Sequence, residues 1–224
     1  MSYSPLIISL KAAFLATIIT FFFGIYTAFL VTKAKRFKGL VDSILTLPLV
    51  LPPTVVGFFL LVLLGKNSII GKLLSIYDIS IIFSSTATII ASAVVSFPLM
   101  YRTARGAFEQ LDRNIIYVAR TLGLTEHQIF LKIMLPNSLS SIIAGTILAF
   151  ARALGEFGAT IMLAGNIPGK TQTMAVAVYS AVQAGNRVLA YKWVVIMVII
   201  SFLTISIMNR FERSNIIKVG KGGN

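Results

Sequence analysis

YVARTLGLTEHQIFLKIMLP, residues 117–136, is a polar, helix-forming segment set in a chain that is otherwise almost entirely apolar. Its local grammar predicts two short helices. Gly123 is placed to end the first, because glycine takes the left-handed conformation at little cost. Thr125 and Gln128 form a T-x-x-Q capping box that starts the second. Pro136 has no N–H to continue a helix ladder and is expected to close it. The product is a helix-turn-helix knob between two hydrophobic spans. A polar insert in that position marks a part that something outside the bilayer takes hold of.

The surrounding sequence is bilayer material. The 224 residues are 57% hydrophobic, with a mean hydropathy of +0.89, which excludes a soluble domain with an ordinary core. No cysteine is present, so disulfides, thiol redox chemistry and cysteine metal sites are excluded. Five stretches are long enough to cross: roughly 9–32, 43–64, 80–101, 138–164 and 190–208. The fold class expected is therefore an all-α polytopic membrane protein with about five transmembrane helices. A sixth apolar run, Met174–Val182, is too short to cross and is expected to lie at the interface or to re-enter. Residues 9–210 read as one membrane domain containing a 102–137 loop, and 211–224 as a tail that frays from Gly220.

The net charge of +13 raises nucleic acid as a partner, but the positions of the charges exclude it. Lys33, Lys35, Arg36, Lys38, Arg102, Arg105, Arg113, Arg120, Lys132, Arg210, Arg213, Lys218 and Lys221 fall on one side of the membrane if the N-terminus is outside. The other side then carries only Lys11, Lys66, Lys72, Lys170, Arg187 and Lys192. This asymmetry is the positive-inside rule; it places 102–137 and the C-terminus in the cytoplasm and the N-terminus outside. Span one has its basic cluster after the apolar run, the reverse of a signal peptide, so it is expected to stay as an anchor.

Two chemistries are set aside on the same grounds. Ala164–Thr171, AGNIPGKT, fits a relaxed phosphate-loop pattern. That motif needs a preceding strand, a following helix and cytoplasmic nucleotide, whereas this one follows a membrane span and falls outside. ATP is not expected to be hydrolysed by this chain. The seven carboxylates form no paired arrangement suited to acid–base work, and His127 is the only histidine. No catalytic residue and no metal site are expected, and His127 reads as a solvated or docking-surface side chain.

Two further features fall within the spans. Arg152 and Glu156 stand four residues apart in a deeply apolar sequence, where each charge costs about 2.5–3.5 kcal/mol unless paired or facing water. They read as a neutralising pair, as part of a translocation route, or as both. Ala151, Gly155 and Ala159 repeat at four-residue spacing on the same span, a face that lets a neighbouring backbone approach. In the second span Pro48, Pro52 and Pro53 interrupt the helix ladder within LPLVLPPTVVG. The freed carbonyls must face protein or a water-lined cavity, which marks a pathway element.

The 117–136 segment resembles the signature of bacterial ABC-importer permeases, E-A-A-x-x-x-G followed after nine residues by I-x-L-P. Ala119, Gly123, Ile133, Leu135 and Pro136 stand at the matching positions, and Tyr117 and Val118 replace the family's Glu and first Ala. LPLVLPPTVVGFFLL (47–61), SFPLMYRTARGAFEQLD (96–112) and FARALGEFGATIMLAGNIPGKTQT (150–173) resemble the permease subunit of molybdate ABC importers over nearly the whole chain. ARALGEFGA is also similar to sulfate/thiosulfate permeases, and tungstate is a further alternative cargo. The resemblance implies a type I ABC importer permease fold in a bacterial or archaeal plasma membrane. It implies a homodimer of permeases, two cytoplasmic ATPase subunits that grip the knob, and an extracytoplasmic molybdate-binding protein. No cofactor is implied for the chain itself, since ATP and Mg are used by the partner subunit.

Overall fold

A computed structural model of the chain describes residues 3–34, 36–78 and 80–221. The described residues are helical or lie in turns and loops between helices, with no strand among them. Helix α1 (Ser4–Lys33) is followed by α2 (Lys38–Val50), α3 (Pro53–Leu64) and the short α4 (Ile69–Ser75). Then come α5 (Ser85–Glu109), α6 (Arg113–Thr121) and α7 (Glu126–Asn137). The chain closes with α8 (Leu139–Leu154), α9 (Gly158–Ala164), α10 (Met174–Gln183) and α11 (Arg187–Lys221). Residues 222–224 of the expected tail lie outside the described residues.

Three helices are long and apolar enough to cross a bilayer unaided: α1, α5 and the Arg187–Met208 part of α11. Of the other two expected spans, 43–64 is broken where α2 and α3 meet at 114°, and 138–164 is divided into α8 and α9. α7 of the knob meets α8 at 76°. The bundle is assembled around α1 and α5. The buried face of α1 is made of small residues, Ala12, Ala13, Ala16, Thr17, Thr20, Gly24 and Ala28, at helical spacing. Ala13 and Ala16 share a buried cluster with Ala93 of α5, and Ile25, Ala28 and Phe29 share one with Met100, Tyr101 and Ala104 of α5. A Cβ added at Gly24 would come within 3.0 Å of Met100 Cγ, so the two backbones approach as closely as small side chains allow. The opposite face of α1 exposes Ile7, Phe14, Phe22, Phe23 and Tyr26, as expected where lipid is the solvent.

The connections sort into two ends. At one, Lys33 pairs with Glu126 at 2.8 Å and Lys38 with Glu109 at 2.8 Å. At the other, Ser9 Oγ accepts from the Met174 N–H at 2.8 Å, and Ser85 Oγ donates to the Lys170 carbonyl at 2.9 Å. Lys33 and Lys38 therefore lie at the knob end, and the 165–173 loop is at the far end. α10, ten residues long, does not cross; it packs at that far end through Met174, Val176, Ala177 and Ala181.

Candidate functional site

The knob is built largely as its sequence specifies. Asp112 Oδ1 accepts from the Asn114 N–H at 2.9 Å and starts α6. The helix ends in a Schellman turn: Leu124 N–H donates to the Ala119 carbonyl at 3.1 Å and Gly123 N–H to the Arg120 carbonyl at 3.0 Å. Gly123 holds φ at +78°, where a side chain is strained although a Cβ there would touch nothing. Both halves of the capping box are present, Gln128 N–H to Thr125 Oγ1 at 3.3 Å and Thr125 N–H to Gln128 Oε1 at 2.9 Å. Pro136 departs from expectation. The helix widens into a π turn over Phe130–Met134, Leu135 N–H donates to the Phe130 carbonyl, and the helix runs through Pro136 to Asn137. The wider turn precedes the residue without an N–H, and the chain bends at Ser138 instead.

The matched signature residues mostly face inward. Ala119 is buried with Ile129, Phe130 and Met134 against Phe29 of α1 and Phe108 of α5, and Ile133 and Leu135 pack on the edge of that cluster. The Phe130 ring lies 4.3 Å from that of Phe29. Glu126 takes Arg120 Nε at 2.7 Å and Lys33 Nζ at 2.8 Å. Hydrogen bonds from Arg120 first and Lys33 second pull its carboxyl down to about 2. The outward surface is different: Ile115, Val118 and Leu122 are exposed at i, i+3 and i+7 along α6 and its C-cap, beside Tyr117 and Leu131. His127 is exposed at this surface, as expected. The signature spacing thus identified the knob's scaffold and missed its face. That face was legible as a second apolar stripe on a helix already placed outside the bilayer.

The other candidate elements meet at one junction. Leu51 and Pro52 separate α2 from α3, which Pro53 begins, while Pro48 sits inside α2. Gly155–Phe157 separate α8 from α9. A Cβ at Gly158 would lie 2.9 Å from Pro53 Cβ and 3.0 Å from Thr54 N; one at Gly57 would lie 2.7 Å from the Ala159 Cα. The two half-helices that begin at the breaks, α3 and α9, are therefore in backbone contact. Twelve residues of α3 rise about 18 Å, more than half of a hydrocarbon core of about 30 Å, so the breaks lie deep.

Arg152 and Glu156 pair as expected, with Arg152 Nη1 2.8 Å from Glu156 Oε2. They do so across the helix break and not along one face. The Arg152 side chain is 30% exposed and that of Glu156 1%. Glu156 Oε1 accepts from the Ala159 N–H at 2.7 Å and so closes the open first turn of α9. The Arg152 contact to Oε2 is ionic without hydrogen-bond alignment, and among the described residues Oε2 and the buried Thr160 Oγ1 accept or donate no hydrogen bond. The stripe Ala151, Gly155 and Ala159 is corrected: the helix ends at Leu154, Gly155 is exposed, and only Ala159 is fully buried against a backbone. The phosphate-loop pattern forms no cradle. The N–H groups of Lys170, Thr171 and Gln172 all turn onto the Ile167 carbonyl, Thr171 is buried, and the next helix waits until Met174. Among the described residues no group of three or more His, Cys, Asp or Glu could hold a metal ion.

A kinked helix bundle with a capped polar knob at one end is the architecture of membrane subunits of binding-protein-dependent transporters. The chain belongs to that family: residues 20–216 match the binding-protein-dependent transport system inner membrane component. Among its relatives, YvgM of Bacillus subtilis (strain 168) is 45% identical over 203 residues, 90% of this chain and 89% of its own. The molybdenum transport system permease protein ModB of Escherichia coli (strain K12) is 40% identical over 222 residues, 98% of this chain and 97% of its own. Among solved structures, a chain of the MetNI methionine ABC transporter in an inward-facing conformation superposes with a TM-score of 0.73 at 18% identity, over 94% of each chain. The fold is that of a type I ABC importer permease, and the protein is a multi-pass component of a transport system.

Proposed function

We propose that the chain is the membrane-spanning subunit of an ATP-driven importer that carries molybdate into the cytoplasm. The near full-length identity to a molybdenum permease carries the cargo, and the knob carries the coupling. In this reading two copies form the route. Each offers its Ile115, Tyr117, Val118, Leu122 and Leu131 surface to one of two cytoplasmic ATPase subunits. The 165–173 end faces outward, where an extracytoplasmic molybdate-binding protein docks, so the N-terminus is outside and the C-terminus cytoplasmic. The excess of basic residues at the knob end supports that orientation.

The mechanism follows from rigidity. Capped at both starts, plugged by Phe130 and tied by Glu126 to α1, the knob moves as one body when the ATPases close. The movement reaches the broken helices, whose junction opens and closes a route past Arg152. That guanidinium, partly exposed while its partner carboxylate is buried, offsets the charge of a passing oxyanion. ATP and Mg are used by the partner subunit, and no cofactor is bound by this chain.

Uptake of labelled molybdate at trace concentration, by cells with and without the chain, tests the cargo with sulfate and tungstate as competitors. Loss of uptake on deletion that resists excess sulfate supports a molybdate importer. The segment ARALGEFGA favours a second reading, sulfate or thiosulfate. Unchanged molybdate uptake with impaired sulfate uptake selects it.

A further inference from the structure

The knob-side end of α5 carries a polar network that neither the signature nor the helix breaks use. Arg105 contacts Asp42 of α2 as an ion pair and donates from Nε to Glu109 Oε1 at 2.9 Å. Lys38, the first residue of α2, reaches the same Glu109 oxygen at 2.8 Å. Tyr101 donates to Asp42 Oδ1 at 3.0 Å and accepts from Arg105 Nη1 at 3.4 Å. Tyr101 is fully buried and stacked on Phe97 with ring planes 6° apart, so the network stands on a fixed base.

Its counterpart is weakly held by everything else. No residue of α2 is fully buried, and Leu40, Ile44, Leu47 and Val50 are exposed along its length. At its far end the chain turns 114° at the Leu51–Pro52 break. α2 is an arm with a hinge at one end and ion pairs at the other. Three residues separate Glu109 from the start of α6, so the fixed half of the network leads directly into the knob. Apolar contact is non-directional and lets a helix slide; paired charges joined in a network set its register.

We infer that Asp42, Arg105 and Glu109 are positioning residues for transport: they bind α2 to α5 so that displacement of the knob is delivered to the broken helix beside the route. This inference rests on the knob being the ATPase-docking element. Co-purification of the unsubstituted chain with its ATPase tests that premise separately, before any variant is compared.

The test uses the full transporter in liposomes. Asp42→Asn and Arg105→Gln are expected to keep assembly and ATP hydrolysis while molybdate delivered per ATP falls about tenfold, the scale of one coupled charge pair. The exchange Asp42→Arg with Arg105→Asp is expected to restore much of it; retained assembly and hydrolysis in the single variants separate this from a merely structural role. The chain has no cysteine, so spin labels at Ile44→Cys and Gly106→Cys report the α2–α5 distance directly; a Cβ at Gly106 meets nothing within 4 Å. That distance is expected to stay narrow through the nucleotide cycle and to broaden with Asp42→Asn. Where Asp42→Asn fails to insert, Lys38→Gln on the rim of the network is expected to broaden it in the same direction. Full coupling in the single variants, or an α2–α5 distance that changes with nucleotide equally with and without Asp42, overturns the inference.

Discussion

The knob and the junction of helix breaks are both made of short, interrupted helices, yet opposite means hold them. The knob is closed by side chains near in sequence: Asp112 on Asn114, Thr125 with Gln128, Arg120 on Glu126. The junction is closed by the absence of side chains, with Gly57 and Gly158 admitting backbone about a hundred residues away. A unit fastened by caps and ion pairs keeps its shape when pushed from outside. A unit fastened by backbone proximity is sensitive to a single added methyl group. The first suits a handle, and the second suits a hinge whose position has to be set tightly.

The largest expected effect breaks the junction. Gly57→Leu drives a side chain into the Ala159 backbone, which cannot yield as a flexible side chain does. The cost is expected to exceed the ~1–3 kcal/mol of ordinary overpacking, read as loss of the folded fraction in detergent. Gly39→Ala, where a Cβ meets nothing within 4 Å, is the control expected to leave it intact.

The charged pair sharpens the contrast. Arg152→Met leaves a buried carboxylate with only the Ala159 N–H. Breaking a fully buried pair costs about 3–5 kcal/mol, and the partial exposure of Arg152 lowers that figure. Arg152→Met with Glu156→Gln is expected to be less damaging than Arg152→Met alone, because the amide still caps α9 and no charge is stranded. Equal melting temperatures for the single and double variants argue against a neutralising pair.

The smallest effect concerns the knob's tie to α1. Glu126 titrates at about 2 in the folded chain against an ordinary 4.5. Its stabilisation is therefore fully present above 4.5 and lost as pH falls from there through about 2. Protection of knob amides from exchange is expected to be level across neutral pH and to fall in acid. Glu126→Gln should remove that acid dependence and slightly lower protection at pH 7.

Legibility followed the same division. The Gly123 stop and the capping box depend on residues within a few positions, so sequence exposes them. Pro136 misled because a π turn relieves a proline when the surrounding apolar face, here Phe130 and Met134, rewards keeping the helix in place. Pro52 and Pro53 announced a break, but nothing local announced its partner at Gly155–Phe157. A four-residue repeat of small residues reads as a continuous face until Glu156 caps a new helix and ends it. The Asp42–Arg105–Glu109 network was hidden because Asp42 of α2 stands 63 and 67 positions from its α5 members, only the Arg105–Glu109 step being local.

Transmission of ATPase movement through the knob, as proposed, is probed by Gly123→Val. The valine is held at φ +78°, a strain of about 1–3 kcal/mol confined to the knob's turn. Molybdate uptake and ATP hydrolysis would be measured together in the reconstituted complex. The variant is expected still to insert and to recruit ATPase, with hydrolysis continuing and uptake per ATP sharply reduced. Uptake per ATP equal to that of the unsubstituted chain would mean that the knob does not transmit the movement.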